Sequence, residues 1–332
     1  MLENNFDPFQ PLNAPDSFET DLHFANEMHR GFRVPNQYSV KDPDILKTTG
    51  KTHHVTVRNA RLLDPAPTIE SHGFQLVHAP CDLDLMDTEV VINGYYEHCR
   101  AVVKKITGCY EVRGGGHEYR NGFGGQSGER GIKPTPNGSG GGYGMGIHSD
   151  MCAAVEDAFA KIVPDERHFE SLNIWRSVKK GELVFTAPLG VCDMRSVDPG
   201  DIVFGDGTAT GNIKQYYKVV DQRVVFSPQQ RWYYFPNMSE DEVLIFRQYD
   251  TRVEELNLRT VFHSAVVDPN TPKEAPMRYT IEVRMQAVFD KETEKRARVE
   301  RFKAQIADVY RDGTKSDWWR GPIENYVPPP SV

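Results

Sequence analysis

The 332-residue chain sets 39 Lys and Arg against 47 Asp and Glu, a net charge of −8, and has no long basic run, which disfavours a nucleic-acid or anionic-membrane partner. A hydrophobic fraction of 39% suits a globular body, and 27 Gly with 22 Pro favour many short strands and turns over a helical bundle. No secretory signal opens the chain, no apolar stretch approaches the ~18 residues of a membrane span, and the five scattered cysteines (Cys81, Cys99, Cys109, Cys152, Cys192) include no CxxC pair; a cytoplasmic protein with reduced thiols is expected.

Residues 1–53, polar and punctuated by proline, predict an N-terminal arm that wraps a single domain spanning 54–332. Short β-branched and aromatic runs at His54–Asn59 and Phe74–His78 predict strands. Residues 84–106 predict a helix, because Leu85, Val91, Tyr95, Val102 and Ile106 recur at one- or two-turn intervals. Residues 113–146 differ in kind, with fourteen glycines in thirty-four positions. Glycine loses the most backbone entropy on ordering, so a long mobile loop is expected there, acting as a lid over a site at Ile147-His148-Ser149-Asp150. A helix at Cys152–Ile162 follows. Strand-like segments then come in procession at 169–176, 183–192, 213–219, 223–227, 231–235, 242–248, 259–266 and 279–288, which argues for a barrel or jelly roll. A closing helix at 291–311, with Val299, Phe302, Ile306 and Val309 on one stripe, is expected to buttress the sheet.

Oxygen chemistry on iron(II) needs two imidazoles and one carboxylate on one face of the metal, with the other positions left open. The sequence holds two HxD/E pairs, His148-Ser149-Asp150 and His168-Phe169-Glu170, as many as chance predicts, so spacing decides nothing. Context does. His148 follows the glycine-rich stretch at a strand end, whereas His168 sits in an ordinary polar turn. Further on, residues two apart on a strand share a face, so Arg278, Thr280, Glu282 and Arg284 point one way. An arginine with a hydroxyl two residues on, fifteen residues after His263, suits a dicarboxylate: the guanidinium takes the remote carboxylate bidentately and the hydroxyl adds one bond.

Four ordered blocks carry a resemblance: Leu172–Val178 with Ala187–Val197; Gln230–Met238 with Asp241-Glu242 and Tyr249-Asp250; His263 with Asp268-Pro269; and Arg278–Arg284. Over residues 54–290 the chain resembles the fungal and bacterial hydroxylase/desaturase family of Fe(II)/2-oxoglutarate-dependent oxygenases. The resemblance implies a mainly β fold, a double-stranded β-helix (jelly roll) with flanking helices. It implies iron(II), 2-oxoglutarate and O2 as cofactor and cosubstrates, and a role in secondary-metabolite biosynthesis. It carries the metal ligands onto His148, Asp150 and His263 and the cosubstrate arginine onto Arg278; the shared strand face adds Thr280 as an assisting hydroxyl and Arg284 as the reserve arginine. His117 and Arg120 stand where the family often has a His and an Arg before its HxD, and Tyr143, Trp175 and Arg176 join them as candidate substrate residues. The expected reaction is oxidation of an unactivated C–H bond of a small natural-product or amino-acid-like molecule, by hydroxylation, desaturation or ring formation. The expected partner is that molecule and, at most, a second copy of the chain in a homodimer. Two other readings remain: a cupin-like metal hydrolase or isomerase with no use for Arg278, and a non-catalytic jelly-roll binding protein in which the three ligands diverge.

Overall fold

Period-two alternation builds most of the elements. In β1 (Ser17–Ala25), Phe18, Thr20, Leu22 and Phe24 are buried while Glu19 and Asp21 face solvent, the half-buried pattern of a strand with one wet face. A computed structural model of the chain describes residues 14–27, 33–35, 50–123, 140–150, 167–206 and 219–294. After β1 come β2 (Arg33–Pro35), β3 (Gly50–Asn59), the short helix α1 (Ile69–His72) and β4 (Phe74–His78). A helical run follows: α2 (Thr88–Val90), a π-turn over Val91–Tyr95, and α3 (Tyr96–Thr107). It starts where the Asp87 carboxylate caps the amides of Glu89 and Val90 and stops where Gly108 takes a left-handed C-cap. The remaining strands are β5 (Glu111–Phe123), β6 (Gly140–Tyr143), β7 (His168–Ser177), β8 (Leu189–Cys192), β9 (Ile202–Asp206), β10 (Val219–Val224), β11 (Trp232–Tyr234), β12 (Glu242–Asp250), β13 (His263–Ala265) and β14 (Thr280–Phe289).

These form a six-stranded sheet in the order β4-β12-β7-β14-β5-β6, a five-stranded sheet β1-β3-β11-β8-β13, and a three-stranded strip β10-β9-β2. Together they make a double-stranded β-helix, the jelly roll. The helical run covers the outer face of the six-stranded sheet, where Val91, Tyr95, Cys99 and Val103 pack on Leu172, Ile174, Ile281, Val283 and Met285. The two larger sheets meet through a second core of Trp175, Leu244 and Phe246 against Val191, Tyr233 and Val261. On the far face of the five-stranded sheet, Trp232, Tyr234 and Cys192 pack with Phe18, Leu22 and Phe24. Among the described residues no helix is long and apolar enough to cross a membrane.

Several expectations are revised. The boundary at residue 53 cuts β3, and β1 is already part of the five-stranded sheet, paired with β3 from Ser17↔Arg58 to Ala25↔Gly50. The helix buries Val91, Tyr95, Cys99 and Val103, an i, i+4 stripe, and leaves Val102 and Ile106 on its flank. The glycine-rich stretch is not one long loop: residues 113–123 are strand, paired with β14, and 140–143 are strand again, parallel to β5. Its first three glycines form a β-bulge. Val283 pairs with His117 and Met285 with Gly114, so Gly115 and Gly116 together oppose Arg284. Gly114, Gly115 and Gly116 all have positive φ, a conformation that glycine adopts without a Cβ clash. Residues 124–139, the expected helix 152–162, most of the strand at 213–219 and residues 295–311 of the closing helix lie outside the described residues; 291–294 are helical.

Candidate active site

The residues before His148 run beside β13 like an added strand. His148 N donates to His263 O at 3.2 Å and His263 N to His148 O at 3.0 Å, and Ser149 makes the same reciprocal pair with Gln222. Residues paired in this way project side chains to the same face, so the two imidazoles meet with ring centroids 4.4 Å apart. Asp150, two residues on, returns to that face. One ligand atom from each of His148, Asp150 and His263 lies within 4.8 Å of the others. The reading in which they diverge is thereby excluded.

Both rings are fixed in one tautomer. His148 Nδ1 lies 2.7 Å from Gly146 O and His263 Nδ1 lies 3.3 Å from Val261 O. A carbonyl oxygen can only accept, so Nδ1 carries the proton and Nε2 becomes the ligating atom. Burial, then the neighbouring His148, pushes His263 down to about 3, which keeps it neutral as a metal ligand requires. Burial works to raise the Asp150 carboxyl, but the Arg284 guanidinium beside it holds it well below the usual carboxylate range. The donor set of two neutral imidazoles and one carboxylate fits a first-row divalent metal with open positions.

Asp150 is held from three directions. Its amide donates to Gln248 Oε1 at 2.8 Å, and Ser149 Oγ, itself bonded to Thr260 Oγ1, lies 3.2 Å from the same oxygen. Gln248 reaches this position because β12 shifts register between Arg247 and Tyr249, a bulge that re-aims its side chain. Asp150 Oδ2 accepts from Asn173 Nδ2 at 3.0 Å and Arg284 Nη2 at 3.3 Å. Arg284 also meets Glu282 at 3.0 Å and Glu118 at 3.4 Å. Burial works against its charge, but these carboxylates together raise its pKa above the ordinary arginine value. Burial, opposed by Arg284, pushes Glu282 up to about 6.

Arg278 occupies a different environment on the same inner face. It is 5% exposed, its Nε donates to Ala187 O at 2.6 Å and its Nη1 to Thr280 Oγ1 at 2.6 Å. Its guanidinium carbon lies 4.1 Å from the Tyr143 ring centre and 5.2 Å from that of Trp175. Ala187 holds a left-handed φ of 47°, a strained conformation for a residue with a Cβ, at the point where its carbonyl meets Arg278. Among the described residues no acidic side chain forms an ion pair with Arg278, and burial brings it down to about 10. Trp175 pairs with Glu282 and Asn173 with Arg284, so Trp175 of the niche and the two side chains that meet Asp150 Oδ2 lie along one strand pair.

The other expected site residues divide by strand parity. Tyr143 walls the Arg278 niche and donates from its hydroxyl to Arg278 O at 2.8 Å. Arg120 pairs with Thr280 and so shares the inner face, meeting Glu118 at 3.1 Å. His117 and Arg176 do not line the site. His117 pairs with Val283 on the helix-covered face, where its Nδ1 is 2.8 Å from the Tyr96 hydroxyl. Arg176 pairs with Ile281 on that same face and binds the carbonyls of Ala79 and Glu240. Arg284, held in reserve for the cosubstrate, is committed to three carboxylates. Asn173 and Gln248 were missed by sequence reasoning. Asn173 carried a signal, a polar residue two before Trp175 and so on its strand face; Gln248 carried none, because only the bulge turns it inward.

A protein-family model described as an oxidoreductase/YMDC permease-like domain matches residues 22–289. A hydroxylase/desaturase of Hormonema carpetanum, efuI, is 27% identical over 254 residues, 70% of this chain and 82% of the relative. The Fe(II)/2-oxoglutarate-dependent dioxygenase nvfI of Aspergillus novofumigatus is 28% identical over 251 residues, again 70% and 82%. Among solved structures, the iron and alpha-ketoglutarate-dependent endoperoxidase NvfI aligns with a TM-score of 0.68 at 24% identity, over 84% of this chain and 99% of that one, a likeness of fold.

Proposed function

We propose, from the premise that this chain belongs to the oxidoreductase/YMDC permease-like family matched over residues 22–289, that it is an iron(II)- and 2-oxoglutarate-dependent oxygenase of a small natural-product or amino-acid-like substrate. The observation that carries the reading is the buried Arg278, which meets no acidic side chain in an ion pair among the described residues, together with the His148–Asp150–His263 triad. A buried cation without a counter-charge is costly and persists where a ligand supplies the anion. A metal hydrolase or isomerase would need the triad and not the niche. The printed names of the relatives, a hydroxylase/desaturase and a 2-oxoglutarate-dependent dioxygenase, point the same way.

In this reading the Nε2 atoms of His148 and His263 and the Oδ1 atom of Asp150 would hold the metal. Bound iron(II) with 2-oxoglutarate supplies dioxygen-dependent oxidation of a C–H bond, coupled to decarboxylation of the cosubstrate to succinate. Arg278 receives the remote carboxylate of the cosubstrate through the N–H donors that Ala187 and Thr280 leave over, with the Thr280 hydroxyl beside it. Tyr143 and Trp175 wall that niche and keep water from the guanidinium, which strengthens the ion pair. Which C–H bond is oxidised depends on how the substrate is placed beside the metal. An anaerobic titration of iron(II)-loaded protein with 2-oxoglutarate tests the reading: a visible metal-to-ligand charge-transfer band is expected, and its absence with iron demonstrably bound would leave the cosubstrate assignment without support.

A further inference from the structure

We infer that Asn173 and Arg284 are positioning residues that hold Asp150 as a one-oxygen metal ligand. The inference rests on the reading above only in that the triad binds a metal. The two carboxylate oxygens of Asp150 have different surroundings. Oδ1 lies 3.5 Å from His148 Nε2, on the side where the imidazoles converge. Oδ2 accepts from Asn173 Nδ2 at 3.0 Å and from Arg284 Nη2 at 3.3 Å. An oxygen engaged by an amide and a guanidinium is a poor second donor to a metal, so coordination falls to Oδ1 alone. That matters for the chemistry, because a carboxylate bound through both oxygens would take a position that a chelating cosubstrate or dioxygen needs.

The clamp is itself braced. Arg284 stands opposite the Gly115–Gly116 bulge, and Glu282 at 3.0 Å and Glu118 at 3.4 Å flank its guanidinium. Asn173 is fully buried, and its Oδ1 has no hydrogen-bond partner. A buried amide that leaves its carbonyl unsatisfied carries a desolvation penalty. A site selected for stability alone would favour an apolar side chain there. The arrangement makes sense where the amide N–H of Asn173 serves the carboxylate. Arg284, whose strand face it shares with Thr280, has thus been drawn to the metal ligand and away from the cosubstrate.

The test compares the full-length protein with Arg284→Gln, Arg284→Lys and Asn173→Ala. Iron(II) affinity is measured anaerobically by competition with a chromophoric chelator. 2-Oxoglutarate affinity is measured calorimetrically at saturating iron, and the metal-free fold is checked by circular dichroism and thermal midpoint. Loss of such an outer partner typically weakens metal binding about 10–100-fold, and that loss is expected for Arg284→Gln and Asn173→Ala. Arg284→Lys should recover most of it, since an ammonium can still donate to Oδ2. Cosubstrate affinity at saturating iron should stay within about threefold, well under the 1.4 kcal/mol of a tenfold change. Unchanged iron affinity in both Arg284→Gln and Asn173→Ala overturns the inference. So does a weakened 2-oxoglutarate interaction with iron binding intact, which would make Arg284 the cosubstrate arginine. If Arg284→Gln fails to fold, Asn173→Ala decides by the same readouts. A wild-type protein that binds iron but ignores 2-oxoglutarate would sink the proposed function and leave the clamp testable. One that binds no iron would sink both.

Discussion

Replacing Arg278 should separate binding from stability in a way few substitutions can. Burial lowers this guanidinium from the ordinary arginine value to about 10, which sets about 3 kcal/mol against its charged form. Removing it also forfeits the bonds to Ala187 and Thr280, worth about 1–3 kcal/mol together, so the two effects nearly cancel. Arg278→Met should therefore leave the thermal midpoint of the cosubstrate-free protein unchanged or slightly raised. The wild type with 2-oxoglutarate at one hundred times its dissociation constant should gain about 2.7 kcal/mol, whereas Arg278→Met should gain almost nothing. Arg278→Lys keeps the charge and loses the fork. Of five N–H donors, two are engaged by Ala187 and Thr280, which leaves three, both of those on Nη2 among them, for a carboxylate. Lysine can offer one such bond, a loss of about 1.5–3 kcal/mol or roughly 10- to 150-fold in affinity. Calorimetry on iron-loaded protein, paired with thermal scans of both variants, gives the readout. The reasoning is refuted if Arg278→Lys binds 2-oxoglutarate as tightly as wild type, or if metal-free Arg278→Met loses several kcal/mol, because Arg278 would then be structural.

Three other outcomes follow from the same contacts. His148→Ala and His263→Ala should each abolish iron retention through dialysis while preserving the far-ultraviolet spectrum; a variant that still retains one iron per chain removes that residue from the ligand set. Asp193 is fully buried, with Arg195 Nη2 at 2.8 Å and Arg231 Nη2 at 3.0 Å, so Asp193→Asn should cost about 3–5 kcal/mol in urea unfolding by stranding a buried arginine. Burial would raise the Asp193 carboxyl, but Arg195 and Arg231 hold it below its ordinary 3.8; its stabilisation is complete above pH 3.8 and disappears as pH falls through the lower folded value. Acid unfolding below pH 3.8 should accordingly be less steep in Asp193→Asn than in wild type, and identical slopes would count against that role. Gly73→Ala should destabilise by about 1–3 kcal/mol, since Gly73 has φ +84° and an added Cβ would run into Val261 and Met194; an unchanged urea midpoint would contradict the packing described.

What could be read from the residues was what depends on local periodicity. The two-residue parity of Arg278, Thr280, Glu282 and Arg284 put all four on one face from the sequence alone; the structure keeps Thr280, Glu282 and Arg284 there along β14, and Arg278, just before the strand, meets the Thr280 side chain. The same parity, applied to β5 and β7, would have assigned His117 and Arg176 to the helix side, but it needs a register that only strand pairing supplies. The glycine-rich stretch misled for a physical reason. Glycine content measures backbone freedom, and the same freedom that permits a loop permits the bulge at Gly114–Gly116. The choice between Arg278 and Arg284 was likewise out of reach. It turns on Glu118, Glu282 and Asp150, which form ion pairs with one arginine and not the other, and the contacts of Glu118 and Asp150 come from segments distant in sequence. Gln248 could not be foreseen at all, because its orientation follows from one extra residue in β12.

Diffraction at the iron absorption edge, from crystals grown anaerobically with iron(II) and 2-oxoglutarate, tests the central claim most directly. The account predicts one anomalous peak held by His148 Nε2, His263 Nε2 and a single oxygen of Asp150, each at about 2.0–2.3 Å, with the remote cosubstrate carboxylate on Arg278. A peak held by other residues, or a cosubstrate carboxylate lying on Arg284 with Arg278 untouched, would contradict it.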